Sequence, residues 1–406
     1  MTTPALRFTE FDGDWISSPL KKFFPKIRNG FVGIATPYYV ANGVKYLQGK
    51  NVKDGRIDPT GLIYISEEFH AKKSNSKLAI DDILMVQSGH VGECAVIDKE
   101  YDNANCHALI VLSPHKEQET NSHFVKYYFY TPIGKKIISQ IKTGNTIEHV
   151  LASEVKEIYL NFPSKVEQTK IASFLSAVDE KINQLTQKHQ LLSQYKQGMM
   201  QKLFSQQIRF KADDGSEFAE WESRTLAEVG ENIIGLTYSP TDVTNDGSGI
   251  LVLRSSNIKN GRLNKNDQVR VNKKIKDKIL VQPNDILICT RNGSQRLIGK
   301  SVIINDNEVM TFGAFMSVYR SQYNRFIAYL MQTPWFFEQI QMNLGARINQ
   351  ITTGTLNEFT FDFPCLEEQT KIANFLSSID QKIEVTAQQI EQAKQWKKGL
   401  LQQMFV

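Results

Sequence analysis

Two long stretches of the chain carry apolar residues at alternating intervals of three and four, which is the spacing of a coiled-coil seam. In the first stretch the seam consists of Ile171, Leu175, Val178, Ile182, Leu185, Leu192, Met199 and Leu203. In the second stretch it consists of Ile372, Leu376, Ile379, Ile383, Ile390, Leu400 and Met404. Polar side chains interrupt the seam at His189, Lys196, Thr386 and Lys397. A helix cannot bury such a stripe alone, so we predict two long helices that pair with each other.

The remaining sequence alternates short apolar runs with polar loops that contain glycine, which is typical of strands and turns. Residues 82–86 and 285–289 are apolar runs of this kind. The pairs Asp54-Gly55 and Asn260-Gly261 are strong signals for tight turns between strands. Helical stretches are expected near residues 125–142 and at the matching place in the second half, 326–343. The pattern therefore predicts mixed α/β globules that each lead into a long helix.

The chain also repeats itself. Segment 167–182 returns as segment 368–383, with 12 of 16 positions identical at an offset of 201 residues. That offset is about half of the 406 residues, so the sequence indicates a tandem duplication of a unit far longer than a solenoid repeat. We predict an α+β fold with an internal pseudo-two-fold repeat, in which the helices form an antiparallel coiled coil standing clear of the globules. The alternative is an ordinary helical hairpin packed in a core.

Composition indicates a globular protein and argues against a membrane-spanning, secreted or zinc-binding one. Hydrophobic residues make up 41% and charged residues 22%, which is ordinary for a protein with real cores. No apolar run is long enough to span a membrane and the start does not resemble a signal peptide, so we expect a cytoplasmic protein with no membrane partner. The four cysteines are scattered, which gives neither a disulfide framework nor a zinc site. A net charge of +5 permits an anionic partner without demanding one.

The distribution of histidines argues against catalysis. All seven histidines lie in the first half, whereas a duplicated metal or acid–base site that used imidazole would appear twice. Phosphate-binding glycine loops are missing, and so is the Asn-Pro-Pro-Tyr signature of adenine methyltransferases. Cys106 and His107 are adjacent, but neighbouring residues in a strand point to opposite faces. We therefore predict no catalytic and no metal-binding residues in this chain.

Polar and basic loop residues are candidates for contacting nucleic acid, because Arg, Asn and Gln can bond two atoms of a base edge and lysine anchors phosphates. In the first half they are Lys50, Asn51, Lys53, Arg56, Lys72, Lys73, Ser88, His90, Asn145 and Thr146. In the second half they are Arg254, Ser255, Asn257, Lys259, Arg262, Lys273, Lys274, Arg291, Asn292, Gln295, Arg296, Arg347, Asn349 and Gln350. Any one of them can equally be a solvated loop side chain.

Some of these candidates recur at matching positions, namely Asn51 with Asn257, Lys53 with Lys259 and Arg56 with Arg262. Recurrence is equally compatible with a role in the framework of a turn. We expect the residues that read bases where the two halves diverge, as at residues 87–90 against residues 290–296.

Two divergent globules alternate with two nearly identical helices that carry Glu-Gln-x-x-Ile-Ala-x-Phe-Leu, each preceded by Phe-Pro. This order resembles the specificity (S) subunit, HsdS, of Type I restriction-modification systems over essentially the whole chain. The resemblance implies target-recognition domains at residues 1–164 and 211–365. It implies conserved helical regions at residues 165–210 and 366–406.

The same resemblance implies a non-catalytic subunit that binds double-stranded DNA at two half-sites, with a spacer set by the helices. The chemistry is then carried out by two M subunits, which use S-adenosylmethionine, and by R subunits, which use ATP and Mg²⁺. Outward apolar residues on the helices are candidates for the M interface: Phe174, Tyr195, Phe375 and Trp396. Alternatively, these four complete the coiled-coil core.

Two other classes of function stay open. One is a coiled-coil scaffold or adaptor that does not read DNA. The other is a stand-alone enzyme with an unrecognised site.

Overall fold

The computed structural model describes residues 3–115, 120–144, 148–344 and 349–406. These residues belong to two compact units. The first unit consists of Met1–Gln187 with Ala387–Val406, and the second consists of Lys188–Thr386. Each unit thus contains one globule and a part of both long helices. The predicted positions Asn145, Thr146 and Arg347 lie outside the described residues.

The first unit is built from short strands, short helices and one long helix. Its strands are β1 (Ile16–Pro19), β2 (Lys26–Asn29), β3 (Tyr39–Val40), β4 (Val44–Leu47), β5 (Val52–Lys53), β6 (Arg56–Ile57), β7 (Ile63–Ile65), β8 (Ile83–Val86), β9 (Cys94–Val96), β10 (Asn105–Cys106), β11 (Leu109–Ser113) and β12 (Tyr159–Phe162). Its helices are α1 (Leu20–Phe23), α2 (Glu67–Lys72), α3 (Ser122–Tyr130), α4 (Pro132–Ile141), α5 (Ala152–Lys156) and α6 (Lys165–Phe204), of which residues 165–187 belong to this unit.

The second unit repeats this series apart from α2, which has no α-helical counterpart among its described residues. Its strands are β13 (Glu222–Thr225), β14 (Glu231–Ile234), β15 (Val243–Thr244), β16 (Ile250–Leu253), β17 (Ile258–Lys259), β18 (Arg262–Leu263), β19 (Arg270–Val271), β20 (Ile286–Cys289), β21 (Ser301–Ile303), β22 (Met310–Phe312), β23 (Met316–Arg320) and β24 (Thr360–Phe363). Its helices are α7 (Leu226–Val229), α8 (Asn324–Leu330), α9 (Pro334–Asn343), α10 (Thr353–Glu358) and α11 (Leu366–Gln403), of which residues 366–386 belong to this unit.

The sheets of the two units have the same topology. The order β2-β11-β8-β9 in the first unit corresponds to β14-β23-β20-β21 in the second. Likewise β10-β4-β7-β3 corresponds to β22-β16-β19-β15, and in each of these sheets the first pair of strands is parallel while the others are antiparallel. Every residue of β8 and β20 is buried, as their apolar runs predict. The duplication inferred from the sequence is confirmed at the level of the fold.

The two predicted tight turns are present. Asp54-Gly55 joins β5 to β6, and Asn260-Gly261 joins β17 to β18. All four turn residues have positive φ, from 51° to 82°. A two-residue hairpin loop of this type needs positive φ at both positions, which Asn, Asp and Gly adopt most easily.

Each predicted helical stretch near residues 125–142 and 326–343 is broken into two helices. The break falls at Thr131 and Thr333, and each is followed by a proline that begins the next helix. Proline has no N–H to donate to the preceding turn, so it starts a helix more readily than it continues one. Thr131 caps the new helix by accepting a hydrogen bond from the Gly134 backbone N–H at 2.9 Å.

The long helices pair in an antiparallel sense. In the first unit Phe174 of α6 packs edge-on against Trp396 of α11, with ring centroids 5.8 Å apart. In the second unit Lys196 of α6 forms an ion pair with Asp380 of α11 at 2.7 Å. The start of α6 therefore meets the end of α11, and the end of α6 meets the start of α11.

The coiled coil does not stand clear of the globules as the sequence suggested. Ile171 and Leu175 of α6 belong to the same core cluster as Trp15, Phe124 and Phe405 in the first unit. The second unit likewise shares one core between its globule and the seam residues of both helices. In each unit the globule and the helix pair therefore share one core instead of each burying a core of its own.

Candidate nucleic-acid interface

Five of the predicted DNA-binding residues line one groove in the second unit. They are Arg254, Ser255, Arg291, Asn292 and Asn349. The groove has a volume of about 1260 Å³ and lies where β16, β20 and the start of β23 bring their connecting loops together. We call it the second-unit groove. It gathers residues that are almost 100 positions apart in the sequence.

A buried asparagine shapes one wall of this groove. The Asn257 side chain is fully buried, accepts a hydrogen bond from the Arg254 backbone N–H at 2.8 Å, and donates to the carbonyls of Asn264 and Asp267. Asn51 does the same in the first unit, where it accepts from the Gln48 backbone N–H at 3.0 Å. These contacts favour the framework role for Asn51 and Asn257, because a fully buried amide is not available to a base.

Arg254 is held by an acidic neighbour. Its Nη2 donates to Asp267 Oδ2 at 2.5 Å, and Ser256 Oγ donates to the same oxygen. The hydrogen bonds from Ser256 and then Arg254 lower the pKa of Asp267, so this carboxylate stays ionised at neutral pH. The Arg254 Nε–H is buried and has no hydrogen-bond partner among the described residues.

Arg291 and Phe315 form the opposite wall. The Arg291 guanidinium lies over the Phe315 ring, 4.8 Å from its centroid, and its backbone N–H donates to the Phe315 carbonyl at 3.0 Å. Phe315 is 57% exposed, which is unusual for a large aromatic side chain. Asn292 Nδ2 donates to Ser255 Oγ at 2.9 Å and so joins the two walls.

The first unit has different side chains at the matching places. Gln48 stands where the second unit has Arg254, and its Nε2 donates to the Tyr39 hydroxyl at 3.2 Å. Ser88 stands where the second unit has Arg291, since Ser88 pairs with His149 as Arg291 pairs with Gln350. Ser88 and His90 are exposed. The loops thus share a framework and differ in the residues they display.

Other basic candidates are exposed or already paired. Exposed lysines and arginines are Lys50, Lys53, Lys259, Lys274 and Arg296. Paired or stacked ones are Arg56 with Asn183, Lys72 with Glu68, Lys73 over the Phe31 ring, Arg262 with Glu384 and Lys273 with Asp242. Gln295 contacts Gln341 at 3.4 Å. None of these lines the second-unit groove.

Sequence reasoning missed Asp267 and Phe315. Asp267 lies 13 positions from Arg254, and nothing in the local pattern marks it as a partner. Phe315 follows Gly313-Ala314, and a phenylalanine beside an apolar strand is expected in a core rather than at a surface.

The four candidate interface residues divide into two kinds. Trp396 and Tyr195 are 54% and 51% exposed. Phe174 and Phe375 are half-buried and pack edge-on against Phe8 and Phe210, with centroids 5.7 and 5.6 Å apart. An exposed aromatic residue therefore lies on each long helix.

The adjacent Cys106 and His107 are not arranged as nucleophile and base. Cys106 is fully buried, and burial raises the pKa of its thiol to about 12. His107 Nδ1 instead contacts the Tyr46 hydroxyl at 3.1 Å. A thiol with so high a pKa forms almost no thiolate at neutral pH.

The described residues contain neither a metal-binding cluster nor a membrane-spanning helix. No group of three or more His, Cys, Asp or Glu side chains there could hold a metal ion. Within the same residues, no helix is both long and apolar enough to cross a membrane.

Comparison with known proteins identifies the family. The Type I restriction modification DNA specificity domain matches this chain twice, at residues 13–193 and 219–395. These matches cover most of the chain and coincide with its two repeats. The chain therefore belongs to the family of Type I restriction-modification specificity subunits, and its role is DNA sequence recognition.

Individual relatives agree with this assignment. A Methanocaldococcus jannaschii protein, named as the putative specificity subunit of type I restriction enzyme MjaX, is 26% identical over 422 residues, covering 97% of this chain and 93% of that protein. The EcoKI specificity subunit of Escherichia coli is 29% identical over 182 residues, covering 43% of this chain and 39% of that protein. The crystal structure of an S subunit from M. genitalium shares the fold, with a TM-score of 0.63 at 16% identity, covering 100% of this chain and 99% of that one.

Proposed function

We propose that this chain reads a bipartite DNA sequence, with one short half-site for each globule and an uncontacted spacer whose length the paired helices set. The observation that carries this proposal is the duplicated loop framework with different side chains. Asn51 and Asn257 hold the same turn in both units, whereas Gln48 and Ser88 stand at the places of Arg254 and Arg291. Two copies of one scaffold with different exposed side chains suit two different short sequences.

The chemistry in this proposal belongs to partner subunits. Two M subunits would use S-adenosylmethionine to methylate adenine N6, and R subunits would use ATP and Mg²⁺ to translocate and cut DNA in the cytoplasm. This chain would then be a non-catalytic subunit. The buried, protonated Cys106 supports that part of the proposal, because the one adjacency that resembled a nucleophile and a base is inert.

Exposed aromatic side chains support the long helices as the binding site of the M subunits. Trp396 rests on Phe174 in the first unit, and Tyr195 lies on α6 in the second. Tryptophan and tyrosine are enriched at the centres of protein interfaces. The alternative, that these residues only complete the coiled-coil core, predicts that Trp396→Ala lowers stability without weakening M binding.

The test is to express this chain with its M subunit in a host that lacks adenine methylation, and to map N6-methyladenine across the genome. The proposal predicts one motif made of two short half-sites with a fixed gap. A complex that is assembled and bound to S-adenosylmethionine but methylates nothing, or methylates without sequence preference, would favour the adaptor instead.

A further inference from the structure

The second-unit groove contains two arginines that the structure orients in different ways. Asp267 accepts a hydrogen bond from the Arg254 guanidinium, whereas the Arg291 guanidinium lies over the Phe315 ring. A side chain that is already fixed loses less conformational entropy when it binds. These arginines are therefore better prepared to select a ligand than the exposed lysines elsewhere on the unit.

The remaining hydrogen-bonding capacity of Arg254 points toward a ligand with acceptors. Arginine has five N–H donors, and Asp267 accepts from Nη2 alone. The Arg254 side chain lines the groove and is 41% exposed, so its remaining terminal N–H groups can reach an occupant. An occupant of the groove that presents paired acceptors would satisfy donors that the protein leaves free.

The hydrogen-bonding pattern of each base edge indicates which base suits an arginine in the groove. In the major groove guanine presents two acceptors, N7 and O6, and a bidentate arginine is the commonest specific contact to it. Adenine presents one acceptor and one donor, which suits glutamine or asparagine. The first unit has Gln48 and Ser88 at the places of Arg254 and Arg291, so this pair of arginines has no counterpart there.

We propose that Arg254 and Arg291 each read a guanine, so that the half-site recognised by the second unit contains G·C pairs at the positions these two arginines face. Asp267 is a positioning residue for Arg254, and Phe315 for Arg291. This inference rests on the proposed function, because it names the bases that one of the two DNA readers selects.

The experiment compares conservative variants of the complex with the M subunit. Arg254→Lys and Arg291→Lys keep the positive charge, so Asp267 and Phe315 retain their partner and the unit is expected to fold. Lysine lacks the planar fork that bonds N7 and O6 together. Arg224→Lys is the matched control, since Arg224 is exposed in the same unit, pairs with Glu222 and does not line the groove.

The readout is the methylated motif of each variant. Each groove variant is expected to lose discrimination at one guanine of the second half-site by about 5- to 150-fold, while the first half-site and the spacer stay unchanged. Arg224→Lys should leave the motif intact. Arg254→Gln, which installs the residue of the first unit, should move the preference at its position toward adenine.

The outcomes separate this inference from the proposed function. A wild-type complex without any bipartite motif would contradict the proposed function itself. A bipartite motif whose second half-site has no G·C pair would contradict only the guanine assignment. The guanine assignment would also be wrong if either groove variant keeps full discrimination, or if the loss is no greater than that of Arg224→Lys.

Discussion

At the scale of single residues, each long helix begins with a buried glutamate whose partner is an arginine far away in the sequence. Glu167 accepts two hydrogen bonds from Arg7, 160 positions earlier, and Glu368 accepts two from Arg209, 159 positions earlier. The two carboxylates are 2% and 0% exposed. A bidentate pair of this kind ties the segment before each globule to the first turn of the helix that follows it.

Removing one of these arginines should leave a buried charge without its partner. Arg209→Ala is expected to destabilise the second unit by about 3–5 kcal/mol, measured by urea unfolding. Arg224→Ala is the control, because Arg224 and its partner Glu222 are largely exposed, and it should leave the urea midpoint nearly unchanged. Adding Glu368→Gln to Arg209→Ala should restore part of the loss; no restoration would show that charge burial is not the cause.

Lys126 makes the stability of the first unit depend on pH. Burial lowers its pKa from 10.5 to about 8. Between these two values the unfolded chain binds a proton that the folded chain does not, so stability rises as pH increases through this window. Below about pH 8 Lys126 is protonated in both the folded and the unfolded state, so the full cost of burying its charge lowers the stability of the unit.

Lys126→Met should therefore remove this pH dependence. As the pH rises from about 7.5 to about 10.5, the free energy of unfolding of wild type should increase by up to about 3 kcal/mol relative to that of the variant. Each tenfold change in proton affinity corresponds to about 1.4 kcal/mol. The measurement is the urea midpoint at both pH values, with exposed Lys135→Met as the control. A wild-type gain equal to that of Lys126→Met would show that Lys126 is not the source of the dependence.

The conformation and partners of a single residue can be predicted from the sequence only where a local rule applies. Asp54-Gly55 and Asn260-Gly261 could be predicted because positive φ is a property of the residues themselves. The partners Arg7, Arg209 and Asp267 could not, because they meet their acceptors or donors only after the chain has folded. Five groove residues were among the candidates, yet only the fold separates them from the exposed basic residues around them.

At the scale of elements, a tyrosine, an aspartate and a lysine join each globule to the helix pair. In the first unit the Tyr127 hydroxyl donates to Asp179 at 2.7 Å and Lys397 pairs with Asp179 at 2.6 Å. In the second unit Tyr329, Asp380 and Lys196 make the same contacts. The lysines are the polar residues that interrupt the seam, and such residues commonly fix helix register.

Asp380→Ala should weaken this junction. The expected loss is about 1–2 kcal/mol, because Tyr329 and Lys196 both lose their acceptor, discounted for the partial exposure of the carboxylate. Thermal unfolding would measure it, with exposed Glu391→Ala on the same helix as the control. Equal midpoints for the two variants would mean that the junction adds no stability.

The helices should also set the spacer between half-sites. Inserting seven residues into both helices keeps the seam and lengthens each by about 10 Å. At about 3.4 Å per base pair, the methylated motif should gain about three base pairs of spacer with both half-sites unchanged. An unchanged spacer in an active complex would refute the role of helix length.

Periodicity predicted the long helices well, because a seam of the kind from Ile171 to Leu203 is a strong and extended signal. It failed at Thr131 and Thr333, where a proline splits one predicted helix into two. It also placed the coiled coil outside the globules. An apolar helix face packs against whichever core is nearest, and the sequence does not say which one that is.

At the scale of the whole molecule, duplication is the property from which the function follows. Sequence identity is concentrated in the helices, while the sheets keep their topology with little identity left. The shared parts, such as Asn51 and Asn257, are buried framework. The divergent parts, such as Gln48 against Arg254, lie on the loops, so each unit can select its own target without disturbing the fold.

The central claim is that each globule independently reads one half of the target. The most direct measurement replaces the globule of the second unit, residues 211–365, with that of another specificity subunit, and maps N6-methyladenine in the complex with the M subunit. We predict that one half-site changes to that of the donor while the other half-site and the spacer stay the same. A change in both half-sites, or in neither, would contradict the claim.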